Sequence, residues 1–254
     1  MEQFSISESS TLTEPNVVAI SVEMCKDLSY KDLQHLLDGT QLLFVELKLD
    51  TLIEMDKVLD IAKISKEVGA VTIAVITEPF TSEYELTKEL KNTFDSIVGI
   101  SSETFHSITD NVFTYAVKSI SGVVLARGDD DINLDFTDLQ TVMSHHGLAL
   151  MGISECIGGN AAYKAIHNAI KSLKVDGIPL TNAHGIMVHF YMHSEFPFME
   201  ISSAMEAVYQ SFDYRADIIF GTTTDNELPV DYIRVTIVAT GFEKRSLTAV
   251  NNVF

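Results

Sequence analysis

Short, almost uninterrupted apolar runs separated by amphipathic stretches constrain this chain more than any other feature. Leu42–Leu47 reads LLFVEL and Ala70–Ile76 reads AVTIAVI. Runs this apolar fit strands covered on both faces, the habit of parallel sheets. Val17–Val22 and Ser96–Ile100 are expected as further strands. Helical patterns lie between them. Ser29 caps a short helix with Leu33, Leu36 and Leu37 on one face, ended by Gly39. From Leu52 to about Ser65, the residues Ile53, Val58, Leu59, Ile61, Ala62 and Ile64 form an apolar stripe, and Gly69 closes it. Pro79 breaks the chain, and Ser82 stands ready to cap a charged helix to about Phe94. Strands alternating with helices mean an α/β fold with a parallel sheet and right-handed crossovers.

His106 to Arg127 reads as one long core helix, apolar around much of its circumference and so expected between two layers. The acidic run Gly128-Asp129-Asp130-Asp131 then marks a boundary. Beyond it the expected order is helix (Phe136–His146), helix (Asn160–Leu173), strand (Gly185–Met192), helix (Glu200–Phe212), strand (Ala216–Gly221) and strand (Tyr232–Thr240). The division that follows is an N-terminal arm over 1–15, a first domain over 16–128, a smaller α/β domain over 129–243 and a short tail over 244–254. No internal repeat is visible.

Charge narrows the partners. Of 254 residues, 17 are Lys or Arg and 36 are Asp or Glu, a formal net charge of −19. Nucleic acid and anionic membranes need a basic face, so neither is an expected partner. The polar start has no basic, then apolar, leader pattern, and no stretch approaches a spanning helix. Cys25 and Cys156 have no disulfide or zinc spacing, which points to a reducing cytoplasm.

A nucleotide held on an α/β fold needs glycines, because bare backbone N–H groups must reach phosphate at a helix start. The 13 glycines here are scattered. After the second expected strand comes Lys48-Leu49-Asp50-Thr51-Leu52-Ile53-Glu54-Met55-Asp56, bulky and acidic where a phosphate cradle would be open and neutral. It reads as a capped surface helix. Gly158-Gly159 reads as a turn before Asn160.

Three ordered blocks resemble FtsZ, the bacterial division GTPase family related to tubulin. The first is Lys66–Phe80, KEVGAVTIAVITEPF. The second is Asn133–Ser144, NLDFTDLQTVMS, followed by Gly147 and Met151-Gly152. The third is Ala216–Thr222, ADIIFGT, followed by Ile233–Gly241, IRVTIVATG. The similarity runs from about Leu42 to Phe242. It implies a reduced Rossmann-like parallel sheet, the long core helix and a smaller C-terminal α/β domain of the tubulin/FtsZ type.

The departures are concentrated where that family holds GTP. Its glycine loop after the first strand is replaced by Ser21-Val22-Glu23-Met24-Cys25-Lys26. Its GGGTGTG loop falls on Asp50–Asp56, where no position matches. Its Asn-Asp pair near the core helix appears reversed, as Asp110-Asn111. Its run after Pro79-Phe80 is replaced by Thr81–Leu86, its front is shortened, and its linker and adaptor-binding tail are not expected after Phe242. The acidic loop does match. In the family one subunit's acidic loop completes the GTP site of its neighbour, and the matching residues are Asn133, Asp135 and Asp138. Carboxylates suit the orientation of a water beside a metal-bound phosphate. On residue chemistry alone, Asp135-Phe136-Thr137-Asp138 reads equally as a helix N-cap, and Asn133 as a turn. Both readings stand.

The resemblance therefore implies a cytoplasmic pseudo-GTPase with no cofactor of its own. It would self-associate, or modulate or cap filaments of an FtsZ-type partner, through its acidic-loop face. The alternative is a working GTP-hydrolysing homologue acting in division, with GTP or GDP and Mg²⁺. No metal site is expected. Asp129–Asp131 lacks the glycine and glutamate of a calcium loop. His145-His146 are adjacent and diverge on a helix. His189 and His193 share a strand face only if the strand is long enough. Met187, Met192, Met199 and Met205 read as packing, and Phe196-Pro197-Phe198 as core or an exposed patch.

Overall fold

A computed structural model describes residues 15–48, 55–81, 87–101, 104, 108, 111–125 and 131–242. Eight strands form one sheet: β1 (Val17–Ser21), β2 (Leu42–Leu47), β3 (Val71–Phe80), β4 (Ser96–Ser101), β5 (Leu148–Ile157), β6 (Gly185–Met192), β7 (Asp217–Thr224) and β8 (Tyr232–Phe242). Their spatial order is β1-β2-β3-β4-β5-β8-β6-β7. The first five are parallel. β8 runs antiparallel to both β5 and β6, and β6 and β7 are parallel. The sheet is thus mixed, with a parallel majority.

The described helices are α1 (Tyr30–Leu37), α2 (Met55–Glu67), α3 (Lys88–Thr93), α4 (Val112–Ser121), α5 (Phe136–Met143), α6 (Ala161–Ser172) and α7 (Phe198–Ser211). They cover the sheet on two faces. Leu33, Leu37, Ile61, Ile64, Leu90, Ala165, Ile166, Ile201 and Val208 pack on one face. Ala116, Ile120, Leu139, Val142 and Met143 pack on the other with Phe44, Ile73 and Met187. This two-sided cover explains the apolar runs: Leu42, Leu43, Phe44 and Val45 are all fully buried.

Local chemistry sets most helix starts. At α1 the Ser29 hydroxyl accepts from the Asp32 N–H, and the Asp32 carboxylate accepts from the Ser29 N–H at 3.0 Å, a reciprocal capping box. Gly39, with φ +69°, turns the chain out toward β2.

Several expectations are corrected. The helix expected over His106–Arg127 is shorter. Ile108 is not helical; Asn111 caps α4 by accepting from the Thr114 N–H at 2.9 Å, and turns follow from Gly122. His106, Asp110 and Arg127 lie outside the described residues. The charged helix starts at Lys88, because Thr87 caps it through the Leu90 N–H; Ser82 lies outside the described residues. The helix expected to reach His146 ends at Met143, since His146 and Gly147 both take positive φ. Val22 leaves the first strand and begins a 3₁₀ turn, Val22–Cys25. The largest omission is β5, expected as no element at all. Its buried half, Leu148–Gly152, joins β4 to β8. The arm over 1–14 and the tail from 243 lie outside the described residues.

Candidate functional site

The acidic loop is held against β7 by polar contacts from both its backbone and Asp131. The Ile132 N–H donates to the Thr222 hydroxyl oxygen at 2.7 Å, and the Thr222 N–H donates to the Ile132 carbonyl at 3.0 Å. Asp131 Oδ1 accepts from both the Thr224 N–H (2.7 Å) and the Thr224 hydroxyl (2.9 Å). Further along, the Leu134 N–H reaches the Val123 carbonyl at 2.9 Å, which ties the loop to the end of α4. Gly221 allows the close approach: a Cβ there would lie 3.0 Å from the Ile132 carbonyl. Gly128, Asp129 and Asp130 lie outside the described residues.

This base presents Asn133, Asp135 and Asp138, all exposed, within six residues. Asp135 is the N-cap of α5; its Oδ1 faces the Thr137 N–H at a long 3.4 Å, and its carbonyl accepts the Asp138 N–H at 3.0 Å. The capping geometry expected from sequence is therefore present. The Asn133 and Asp138 side chains make no hydrogen bond or ion pair among the described residues. A cap engages Asp135 only weakly, and three polar side chains remain directed at solvent from a fixed backbone. Such a group can accept hydrogen bonds from water or from a partner's donors. The sequence singled out these three residues. It did not single out Ile132, Thr222 and Thr224, which position them, because partners some ninety residues away leave no local signal.

The turn after β1 is built differently. Its N–H groups fold back on the turn itself: Met24 to Ser21 Oγ at 3.4 Å, Lys26 to the Glu23 carbonyl at 3.5 Å, and Leu28 to the Cys25 carbonyl at 3.1 Å. Val22 and Cys25 are buried, and burial pushes the Cys25 thiol up, against the opposing pull of Lys57. Lys57 Nζ donates to the Leu28 carbonyl at 2.7 Å and so fastens the turn to α2. In the segment expected to align with the second phosphate loop, residues 50–54 lie outside the described residues; Met55 and Asp56 open α2.

The histidines are dispersed. β6 ends at Met192, so His193 is not on the strand with His189; its Nδ1 accepts the Glu195 N–H at 3.0 Å. His189 is buried, 2.9 Å from the Thr223 hydroxyl, and burial first, then Arg234, lower it to about 4. His145 Nε2 lies 2.9 Å from Asp217 Oδ2 in a cleft of about 410 Å³ that His184, Asp213 and Arg215 also line. Arg215 holds the Asp213 carboxyl well below its usual range.

A second polar cluster joins α4 to the sheet. Arg234 lies 5.5 Å from the Tyr115 ring and 5.6 Å from the Tyr191 ring. Glu155 Oε2 accepts from the Tyr232 hydroxyl at 2.6 Å and from Arg234 at 3.3 Å. The Tyr191 hydroxyl donates to Asp225, and burial together with that carboxylate pushes it up to about 12. Cross-strand register assembles this cluster, pairing Arg234 with Glu155 and with Tyr191. No motif announced it. Phe196-Pro197-Phe198 divides between the two expected roles: Phe196 is buried, while Phe198 and Met199 are exposed. Of the four methionines read as packing, Met199 is the exception.

Known proteins resemble this chain in sequence and in fold. Residues 147–243 match the model of the FtsZ family, C-terminal domain. Cell division protein FtsZ from each of two strains of Helicobacter pylori is 36% identical over 208 residues, covering 73% of this chain and 53% of the relative. The chain thus spans about half the length of the curated relatives it matches. Among solved structures, a mutant FtsZ of M. jannaschii superposes with a TM-score of 0.71 at 28% identity, over 87% of this chain and 71% of that one. An empty FtsZ dimer of M. jannaschii gives 0.71 at 26%, over 91% and 76%. A GTPγS-bound protofilament of CetZ2 from Haloferax volcanii, 12% identical with a TM-score of 0.60 over 88% and 72%, shares the fold alone. No described helix is long and apolar enough to cross a membrane.

Proposed function

From the premise of an FtsZ-like chain of the tubulin/FtsZ type, we propose a cytoskeletal interaction protein that holds no GTP of its own. It docks through its acidic-loop face on an FtsZ-type partner, or on another copy, and modulates or caps the resulting filament in the cytoplasm. The observation that carries this reading is the contrast between two loops. Asn133, Asp135 and Asp138 are exposed on a backbone fixed by Thr222 and Thr224, while the turn after β1 spends its N–H groups on itself. In the proposed role Asp135 and Asp138 orient water toward a phosphate held by the neighbouring subunit, and Asn133 orients the loop's approach. The chain then completes a partner's site and ends the filament, because the turn after β1, its N–H groups folded back on itself, offers no phosphate for the acidic loop of a further subunit to meet.

The test mixes the chain with the FtsZ-type GTPase of its own organism and follows GTP turnover and sedimented polymer. Equimolar chain is expected to change both. Asp135→Asn with Asp138→Asn is expected to abolish the change, since Asn keeps the cap while removing the charge. Unchanged turnover and polymer mass with the wild-type chain sink the proposal. Calorimetry with GTP and Mg²⁺ addresses the alternative, a working GTPase: affinity tighter than about 1 mM would restore it.

A further inference from the structure

The two edges of the sheet are treated unequally. At β7, the free-edge N–H groups of Thr222 and Thr224 are taken by the acidic loop. At β1 the described residues supply no such cover. The Leu42 N–H donates to the Asn16 carbonyl, and with the parallel register this places the even residues, Asn16, Val18 and Ile20, toward β2. The N–H and C=O groups of Val17 and Ala19 and the N–H of Ser21 therefore point away from the sheet and meet no partner among the described residues, while the Ser21 carbonyl opens the 3₁₀ turn that follows.

Edge strands are ordinarily guarded by a charge, a proline or a bulge. β1 reads Val-Val-Ala-Ile-Ser, with none of these inside it. Ala19, at its centre, is exposed. We propose that the free edge of β1 is a self-association surface, which pairs antiparallel with β1 of a second copy about a two-fold axis at Ala19.

Symmetry and charge select a second copy as the occupant. The outward residues are 17, 19 and 21, a set symmetric about 19. In an antiparallel pair centred there, Val17 faces Ser21 of the other copy and Ala19 faces itself. The Ala19 groups then pair with each other and each Ser21 N–H reaches the Val17 carbonyl of the other copy, about four hydrogen bonds in all. The small Ala19 side chain lets the two strands meet without a clash at the axis. No charged residue lies within β1, so the two copies, each at −19, meet along an uncharged line. A basic partner would gain nothing there, because β1 offers no carboxylate to select it. Pro15 has no N–H to extend the pairing, and the Val22–Cys25 turn stops it at the other side. Five residues make a small contact, so the dimer is weak and concentration-dependent. This surface is separate from the acidic loop and stands whether or not the proposed docking does.

Sedimentation velocity of the full chain between about 5 and 200 µM tests it, alongside amide hydrogen exchange at the same concentrations. A reversible dimer is expected, with protection of the Ala19 amide rising in step with it. Ala19→Pro deletes an outward donor and leaves the β2 ladder intact; Ala19→Lys puts like charges across the axis. Each is expected to weaken the dimer at least about tenfold while leaving the unfolding midpoint unchanged. If the proline variant fails to fold, the lysine variant carries the test. A strict monomer at the highest concentration overturns the proposal. So does protection of Ala19 that ignores concentration, which assigns the edge to the chain's own N-terminal residues. A dimer indifferent to Ala19 but lost on Asp135→Asn with Asp138→Asn also overturns it, and moves self-association to the acidic loop.

Discussion

The two ends of this sheet are fastened over different distances along the chain. From β1 to α4, the side-chain caps are local: Ser21 to Met24, Ser29 to Asp32, Thr87 to Leu90 and Asn111 to Thr114 each span three residues. Around β5 to β8, polar fastenings reach much further. Ile132 meets Thr222 across 90 residues, Asp131 meets Thr224 across 93, and Thr240 meets the Val142 carbonyl across 98. One end is a series of βα units capped locally and tied mainly to the neighbouring unit, as Lys57 is to Leu28 and Asp95 to Thr72. The other is knitted by register, so a single side chain there serves several elements at once. Damage to the second end should be larger and less local.

The largest effect is expected at Gly152. A Cβ there would sit 2.4 Å from the Ala169 carbonyl and 2.8 Å from Ser172 Oγ, where α6 presses on β5. Gly152→Val should cost about 3 kcal/mol or more in urea denaturation. Full stability in that variant would show that α6 can slide, and the knitted picture would fail.

Next comes pH. In the unfolded chain His189 takes a proton near its ordinary 6.5, but in the folded chain only near 4. Its neutral form is therefore favoured by folding. Its contribution is complete above about pH 6.5 and is lost as pH falls toward 4, at most about 3 kcal/mol. Compared with wild type, His189→Gln should flatten the loss of stability over this window. Parallel curves for the two would remove His189 from the account.

Asp131→Ala frees two Thr224 donors and should cost about 1–2 kcal/mol. It should also loosen Asn133 and Asp135, read as faster hydrogen exchange at Ile132 and Leu134. The smallest loss belongs to the locally capped end: Ser29→Ala removes one half of the α1 capping box, about 1 kcal/mol, with no change in exchange at the acidic loop. An equal response at both loops would erase the distinction between the ends.

The same contrast decided what could be read from the sequence. β2 was legible to the residue because two-sided burial forces an unbroken apolar run. The caps at Ser29 and Asp135 were legible because their partners lie within three residues. The exposed acidic residues were legible as a motif by resemblance, yet the contacts that hold them were not, because Thr222 and Thr224 carry no mark of a loop some ninety residues away. β5 escaped notice because half of it is buried and half alternates, LALMG then ISECI, which matches neither a buried strand nor an amphipathic one throughout. The core helix was read too long because Ile108, Val123 and Val124 continue its apolar spacing. In fact they pack from a coil and a turn, Val123 and Val124 among the buried core residues and Ile108 against them.

The seat of β8 has a consequence for biosynthesis. It is the last described strand, but it lies between β5 and β6; Tyr232–Phe242 pair with β5 and Ile233–Thr240 with β6. While the chain emerges from the ribosome, β1 to β5 can align in turn, but β6 and β7 have nothing to join until residue 232 and its successors leave the exit tunnel. The nascent protein therefore carries two separate pieces of sheet, and the acidic loop can bridge them only through β7. The sheet becomes one cooperative body only when β8 arrives, so a ribosome that stalls before it releases a chain with two further raw strand edges, at β5 and β6.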